Sequence, residues 1–239
     1  LVCDLLFFAK GVPSVPHSRE FDLGEVAELR AACATRVSWA TVFLKAYALV
    51  SRDAPPLRQC LLRYPWPHLY QHPVSVGYLA VRRSWEAEEW LFFAGFTEAE
   101  RSSLADLQER LDRFREQPPA AVFRTQAQAA RLPVWLRRSL MWVWLHWMGH
   151  RRSRRFGTFG LTTVSGHGAE IQFPPNMLTA TLTYGPINEQ GRCRVTMHYD
   201  HRLMDGWFVA EVLKEVENAI RGPIAEELRD LAAPREKGL

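Results

Sequence analysis

Near its C-terminal end the chain passes from one structural period to another within a few residues, and this junction restricts the fold more than any other stretch. From Arg192 to Tyr199 polar and apolar side chains alternate, as on a strand, and the strand runs directly into His201. Asp205-Gly206 then opens a helix that reads to about Ile220, with Gly222 placed to cap it and Pro223 to stop it. A strand that feeds a helix this abruptly requires sheet and helix layers packed on each other.

The rest of the sequence repeats that alternation. Asp22 and Glu25 read as a capping box for a helix through Ala34. Ser38 reads as the cap of the next helix, whose apolar face is Trp39, Val42, Phe43, Ala46, Tyr47 and Val50 and which Pro55-Pro56 ends. Strands are expected over Leu57–Leu62, Val74–Val81 and Trp90–Ala94, with Tyr64–Pro67 a rigid loop. An amphipathic helix follows over Ser103–Gln117, then strands near Gly157–Val164 and Leu178–Tyr184. With no internal repeat and no Ser/Gly linker, residues 1–239 read as one mixed α/β domain. The longest apolar stretch, Leu140–Met148, is far below the roughly 20 residues of a spanning helix. The opening Leu1-Val2-Cys3-Asp4-Leu5 lacks a basic n-region, so it does not read as a signal peptide. Four scattered cysteines indicate neither a disulfide framework nor a zinc site, and a reducing cytoplasm is the expected compartment. The 26 Arg against four Lys fit GC-rich bacterial coding.

The junction also carries chemistry. A histidine at a strand end is held rigidly while its ring faces a cleft, and its near-neutral pKa suits it to take a proton from a thiol, hydroxyl or amine. Asp205 lies one turn on, where a carboxylate can fix the loop by pairing with an Arg, and Gly206 permits tight entry into the helix.

Asp200-His201-Arg202-Leu203-Met204-Asp205-Gly206 resembles the D-H-R-x-x-D-G signature (H-x-x-x-D-G at its centre) of the dihydrolipoamide acyltransferase catalytic core, a relative of chloramphenicol acetyltransferase. Phe156-Gly157-Thr158-Phe159-Gly160-Leu161-Thr162-Thr163 is similar to that family's G-T-F-T-I-[ST]-N strand, and Val15-Pro16-His17 and Pro174-Pro175 match further segments in order. The resemblance implies a two-layer α/β sandwich, a mixed sheet with helices on one side, assembled as a homotrimer with its active site at the subunit interface. It implies an acyltransferase that moves an acyl group from an acyl-CoA thioester to a thiol, hydroxyl or amine. Coenzyme A enters as substrate, and neither a tightly bound cofactor nor a metal is expected. His201 would be the general base, Asp205 structural, and Asp200, Arg202 and Gly206 parts of the motif. Thr162 of a neighbouring subunit would donate to the oxyanion, with Thr163 and Ser165 as close alternatives. Two departures stand out: Gly160 replaces the usual Thr, and no lipoyl domain precedes the core. A stand-alone enzyme with an unidentified acceptor is therefore expected, the alternatives being a partner that acylates lipoyl groups on another chain and a silent trimeric scaffold or lipid-binding homologue.

Residues 124–155 interrupt the resemblance with a Trp/Arg-rich helical segment. Between Gln117 and Ala169 there are eight Arg and no acid, together with four of the nine Trp. Without those Arg the chain holds 22 basic against 26 acidic residues, so the formal charge of +4 belongs to this segment and nucleic acid is not the expected partner. The segment from Leu132 to Arg155 is expected to pack on the trimer or wall the substrate channel. The other expectation is an interfacial helix that makes the protein peripheral at a membrane surface.

Overall fold

The computed structural model describes residues 1–233. In chain order the elements are α1 (Val2–Ala9), β1 (Ser14–Asp22), α2 (Gly24–Ala32), α3 (Trp39–Asp53), β2 (Gln59–Leu62), β3 (His68–Gln71), β4 (Val76–Trp85), β5 (Glu88–Thr97) and α4 (Leu104–Glu116). Then come α5 (Pro119–Val122), α6 (Arg124–Ala130), α7 (Val134–His146), α8 (Gly149–Phe156), β6 (Phe159–Thr162), β7 (Ala180–Tyr184), β8 (Arg192–Asp200), α9 (Gly206–Ala219) and α10 (Ala225–Ala232). Six strands form one mixed sheet in the order β1-β8-β7-β6-β4-β5, parallel only at β7–β6 and β6–β4. β2 and β3 make a separate hairpin tied back by the Thr179 hydroxyl, which donates to the Gln59 carbonyl at 2.5 Å.

Strand alternation sorts the sheet into two faces. Val195, Met197 and Tyr199 of β8, Leu182 of β7, Phe159 and Leu161 of β6 and Phe92 of β5 point into a core shared with α3, α9 and α10. Tyr47 lies 4.2 Å from Phe159, centroid to centroid, and Phe43 4.3 Å from Tyr184, so α3 seats directly on the sheet. This is the two-layer sandwich expected. In addition, α1, α6 and α7 cover part of the opposite face, where they meet β4, β5 and β6.

Ser38 caps its helix as expected, accepting from Thr41 N–H at 3.3 Å, and Ser103 caps α4 in the same way, accepting from Asp106 N–H at 3.1 Å. Asp22 and Glu25 form no capping box. The strand runs through Asp22, whose N–H donates to Glu217 at 2.8 Å, and α2 starts after Leu23. α9 ends at Ala219, close to the expected Ile220, but the chain does not leave the core at Gly222-Pro223. The chain kinks at Gly222 (φ −96°, ψ −105°) and resumes as α10, because Ile220, Ile224, Ala225 and Leu228 are all fully buried and hold the second segment down. The hairpin partner β3 and the N-terminal α1 were both unanticipated. α1 is docked by Asp4, which is fully buried between Arg137 (2.5 Å) and Arg138 (3.1 Å) of α7.

Candidate active site

His201 sits in the turn just after β8, with an exposed side chain. Its backbone N–H donates to the Pro13 carbonyl at 3.0 Å, continuing the β1–β8 ladder one step past Ser14 and Asp200. The histidine's backbone is thus fixed by the sheet while its ring stays accessible. Its ring lies 5.7 Å from that of Tyr199, which in turn lies 5.5 Å from His17 of β1. Burial pushes the Tyr199 phenol up, with the Asp205 charge adding to the effect. Neither the Tyr199 hydroxyl nor His17 Nδ1 finds a hydrogen-bond partner among the described residues.

The flanking motif residues divide into separate jobs. Arg202 makes a two-pronged ion pair with buried Asp200, Nε to Oδ1 at 2.8 Å and Nη2 to Oδ2 at 2.6 Å. Asp205 does not pair with an Arg as expected; among the described residues it makes no ion pair. It caps α9 instead, accepting the Phe208 N–H at 2.8 Å. Gly206 approaches His17 closely: a Cβ there would stand 2.8 Å from His17 Nε2. The Pro16-His17 segment and the His201 motif therefore meet in space.

Thr162 ends β6 on the outer sheet face, and its side chain lines a cavity there. Thr163 is committed elsewhere, donating to the Tyr184 carbonyl at 2.9 Å and accepting from Ser165 N–H at 3.0 Å. Ser165 begins a short turn that ends at His167. Thr162 shares a cross-strand row with Thr183 and Thr196, five residues before His201. Two strand spacings and five strand rises put the two Cα atoms about 19 Å apart within one chain. One copy of the chain does not bring these two side chains together.

Between the outer face and the helices α1, α6 and α7 lies a cavity of about 420 Å³. Its walls include Leu5, Leu91, Phe93, Leu140, Met141 and Trp144. The arginines of residues 124–155 largely serve the fold around it. Arg137 and Arg138 hold Asp4, Arg131 pairs with Glu86, and Arg155 lies over Trp144. Buried Arg152 donates to the carbonyls of Leu145 and Met177 at 2.9 and 3.1 Å.

Sequence reasoning also missed Asn176. It is buried, donates to the His198 carbonyl at 3.3 Å and accepts from Leu178 N–H and the Thr181 hydroxyl, thereby shaping the loop before β7. A lone amide directly after Pro174-Pro175 was the available signal. His198 is fully buried with both ring nitrogens unpartnered among the described residues, and burial pushes it down to about 4, which makes it a neutral packing residue. Among the described residues no cluster of three or more His, Cys, Asp or Glu side chains could hold a metal ion, and no helix is long and apolar enough to cross a membrane.

No family model and no curated protein sequence matches the chain. Solved structures do. A truncated catalytic core of the 2-oxoacid dehydrogenase multienzyme complex from Thermoplasma acidophilum superposes with a TM-score of 0.67 at 16% identity, over 93% of this chain and 94% of that one. The dihydrolipoamide acetyltransferase of Azotobacter vinelandii gives 0.65 at 16%, over 95% and 88%; its study concerns a serine, a histidine and an asparagine four residues beyond that histidine. A chloramphenicol acetyltransferase gives 0.53 at 13%, over 91% and 94%. The chain therefore has the fold shared by dihydrolipoamide acetyltransferase catalytic cores and chloramphenicol acetyltransferase.

Proposed function

We propose that the chain is a coenzyme A-dependent acyltransferase that works as a trimer, each active site being built from two copies. A ring nitrogen of His201 takes the proton from an acceptor thiol, hydroxyl or amine as that heteroatom attacks the thioester carbonyl. Thr162 of the partner subunit donates a hydrogen bond to the oxyanion, a contribution worth about 10²–10³ in rate at comparable sites. The C–S bond then breaks, and the leaving thiolate of coenzyme A recovers the proton from His201. Asp205 and the Asp200–Arg202 pair hold the loop and carry no proton.

The observation that carries this reading is the placement of the two groups. His201 is exposed at a strand end and Thr162 faces outward about 19 Å away, so a site using both requires a second copy. The Azotobacter enzyme's histidine and asparagine stand at the spacing of His201 and Asp205, which supports the motif assignment. Dihydrolipoamide, named in that relative, is one acceptor to test, alongside hydroxyl and amine acceptors.

Subunit complementation tests the proposal. His201→Ala and Thr162→Ala are each expected to lose at least 100-fold in thiol release from acetyl-CoA with the best acceptor of the panel. Coexpressed at equal levels they should recover roughly a quarter of wild-type activity, since random mixing restores about one interface in four. No recovery, or full activity in His201→Ala alone, would overturn the assignment.

A further inference from the structure

We infer that the cavity between the outer sheet face and α1, α6 and α7 is the seat of a long acyl chain, with the Thr162 hydroxyl at its polar end. The inference rests on the acyl-transfer reading only for the identity of that polar end.

The walls are mostly apolar, and most of their polar groups are already engaged within the protein. Gln126 is used up by β5, accepting from Phe93 N–H at 3.0 Å and donating to the Phe93 carbonyl at 2.7 Å. Arg137 is held by Asp4, and Thr181 donates to Asn176. Thr162 makes no side-chain hydrogen bond among the described residues, and Arg155 has no acidic partner there. Tyr78 donates to the Arg154 carbonyl at 3.0 Å, and Thr125, like Thr162, makes no side-chain hydrogen bond among the described residues. What remains for a ligand is an apolar body with two hydroxyl donors, Thr125 and Thr162, and one cation. That combination suits a hydrocarbon chain ending in a carbonyl group, and it wastes the binding capacity of a sugar or nucleotide.

The size agrees. A methylene fills about as much room as a water's share of the liquid, about 30 Å³, so a 420 Å³ cavity takes on the order of a dozen methylenes. Gly160 contributes to that room: it lies on the cavity floor, where even a Cβ would come within 3.0 Å of Thr181 Oγ1. The far wall is α7, clamped by Asp4 to α1. Residues 124–155 and the N-terminal helix thus act together as the roof of a chain-binding slot.

The test is a binding series read without turnover. Saturated fatty acids of eight to sixteen carbons are titrated calorimetrically into the wild-type protein, with coenzyme A alone as the control. Affinity should rise by about fourfold per added methylene and level off near the dozen carbons the cavity holds. Ala80→Trp and Ala129→Trp, which fill the slot from opposite walls, should each weaken dodecanoic acid at least tenfold and leave octanoic acid within about threefold. Dodecanoic acid carrying a terminal diazirine should crosslink the wild type within α1 or α7, which guards against misfolding of either variant. Affinity independent of chain length, crosslinks confined to other elements, or folded variants that bind dodecanoic acid like wild type would overturn the inference. Chain-length-dependent binding without acyl transfer to any acceptor would defeat only the enzymatic reading. Acetyl transfer through His201 without dodecanoic acid binding would defeat only the slot.

Discussion

Replacing Asp205 separates a structural carboxylate from a chemical one. Its side chain is exposed and accepts one hydrogen bond, from Phe208 N–H at 2.8 Å. Asp205→Ala removes the cap and costs about 1 kcal/mol. For a chain of this size that lowers the melting temperature by about 2–4 °C. Asp205→Asn keeps an oxygen acceptor at the same place and loses only the favourable interaction of a charge with the helix N-terminus. At an exposed site that is about 0.3 kcal/mol, or about 1 °C. The catalytic consequence follows from the loop. His201 is pinned at one end by the Pro13 carbonyl, and the cap pins the other end four residues later. Freeing that end misplaces the ring, so Asp205→Ala should lose about tenfold or more in kcat. Asp205→Asn should stay within about threefold of wild type. The assays are thiol release from acyl-CoA and a thermal melt on the same preparations. An Asp205→Asn protein that melts like wild type yet loses activity 100-fold would refute the argument, because the negative charge itself would then be required.

Three further outcomes are expected. Burial pushes His72 and His198 down to about 4, with Arg152 and Arg58 adding to the effect at His72. The unfolded chain then binds protons that the folded chain refuses between about pH 6.5 and 4. Their stabilising contribution is complete above about 6.5 and is lost as pH falls, by up to about 3 kcal/mol per histidine; His198→Gln should flatten urea-unfolding stability across that window, and an unchanged slope would count against it. At Asp4, burial pushes the carboxyl up and the bonds from Arg137 and Arg138 more than offset it, holding it below the usual range; Asp4→Asn should speed hydrogen exchange in Val2–Ala9 at least tenfold and leave α9 unchanged. Trp135 and Trp142 share a face of α7, and Trp147 is also exposed. The protein should co-sediment with anionic phospholipid vesicles and lose at least fivefold in binding with Trp135→Ser and Trp147→Ser together, whereas a wild type that stays in the supernatant ends the interfacial reading.

What the sequence alone determined is local or periodic. The strand ending at His201, the helix opened by Asp205-Gly206, the serine cap at 38 and the amphipathic helix after Ser103 all follow from short-range patterns whose partners lie within one or two turns. The tertiary structure decided whatever depends on a distant partner. Glu217 takes the Asp22 N–H and so removes a capping box, and burial of Ile224 and Leu228 seats a further helix, α10, beyond the kink at Gly222. Gly206 lets the helix start approach His17, nearly 190 residues away in the chain, whose ring would have to shift for any Cβ there. Asp4 reads as a lone acid in an apolar run until Arg137 and Arg138 close on it, and only that closure roofs the cavity at Thr162. Patterns along a chain encode which face a residue presents; which surface arrives to meet that face is set by the packing of the whole molecule.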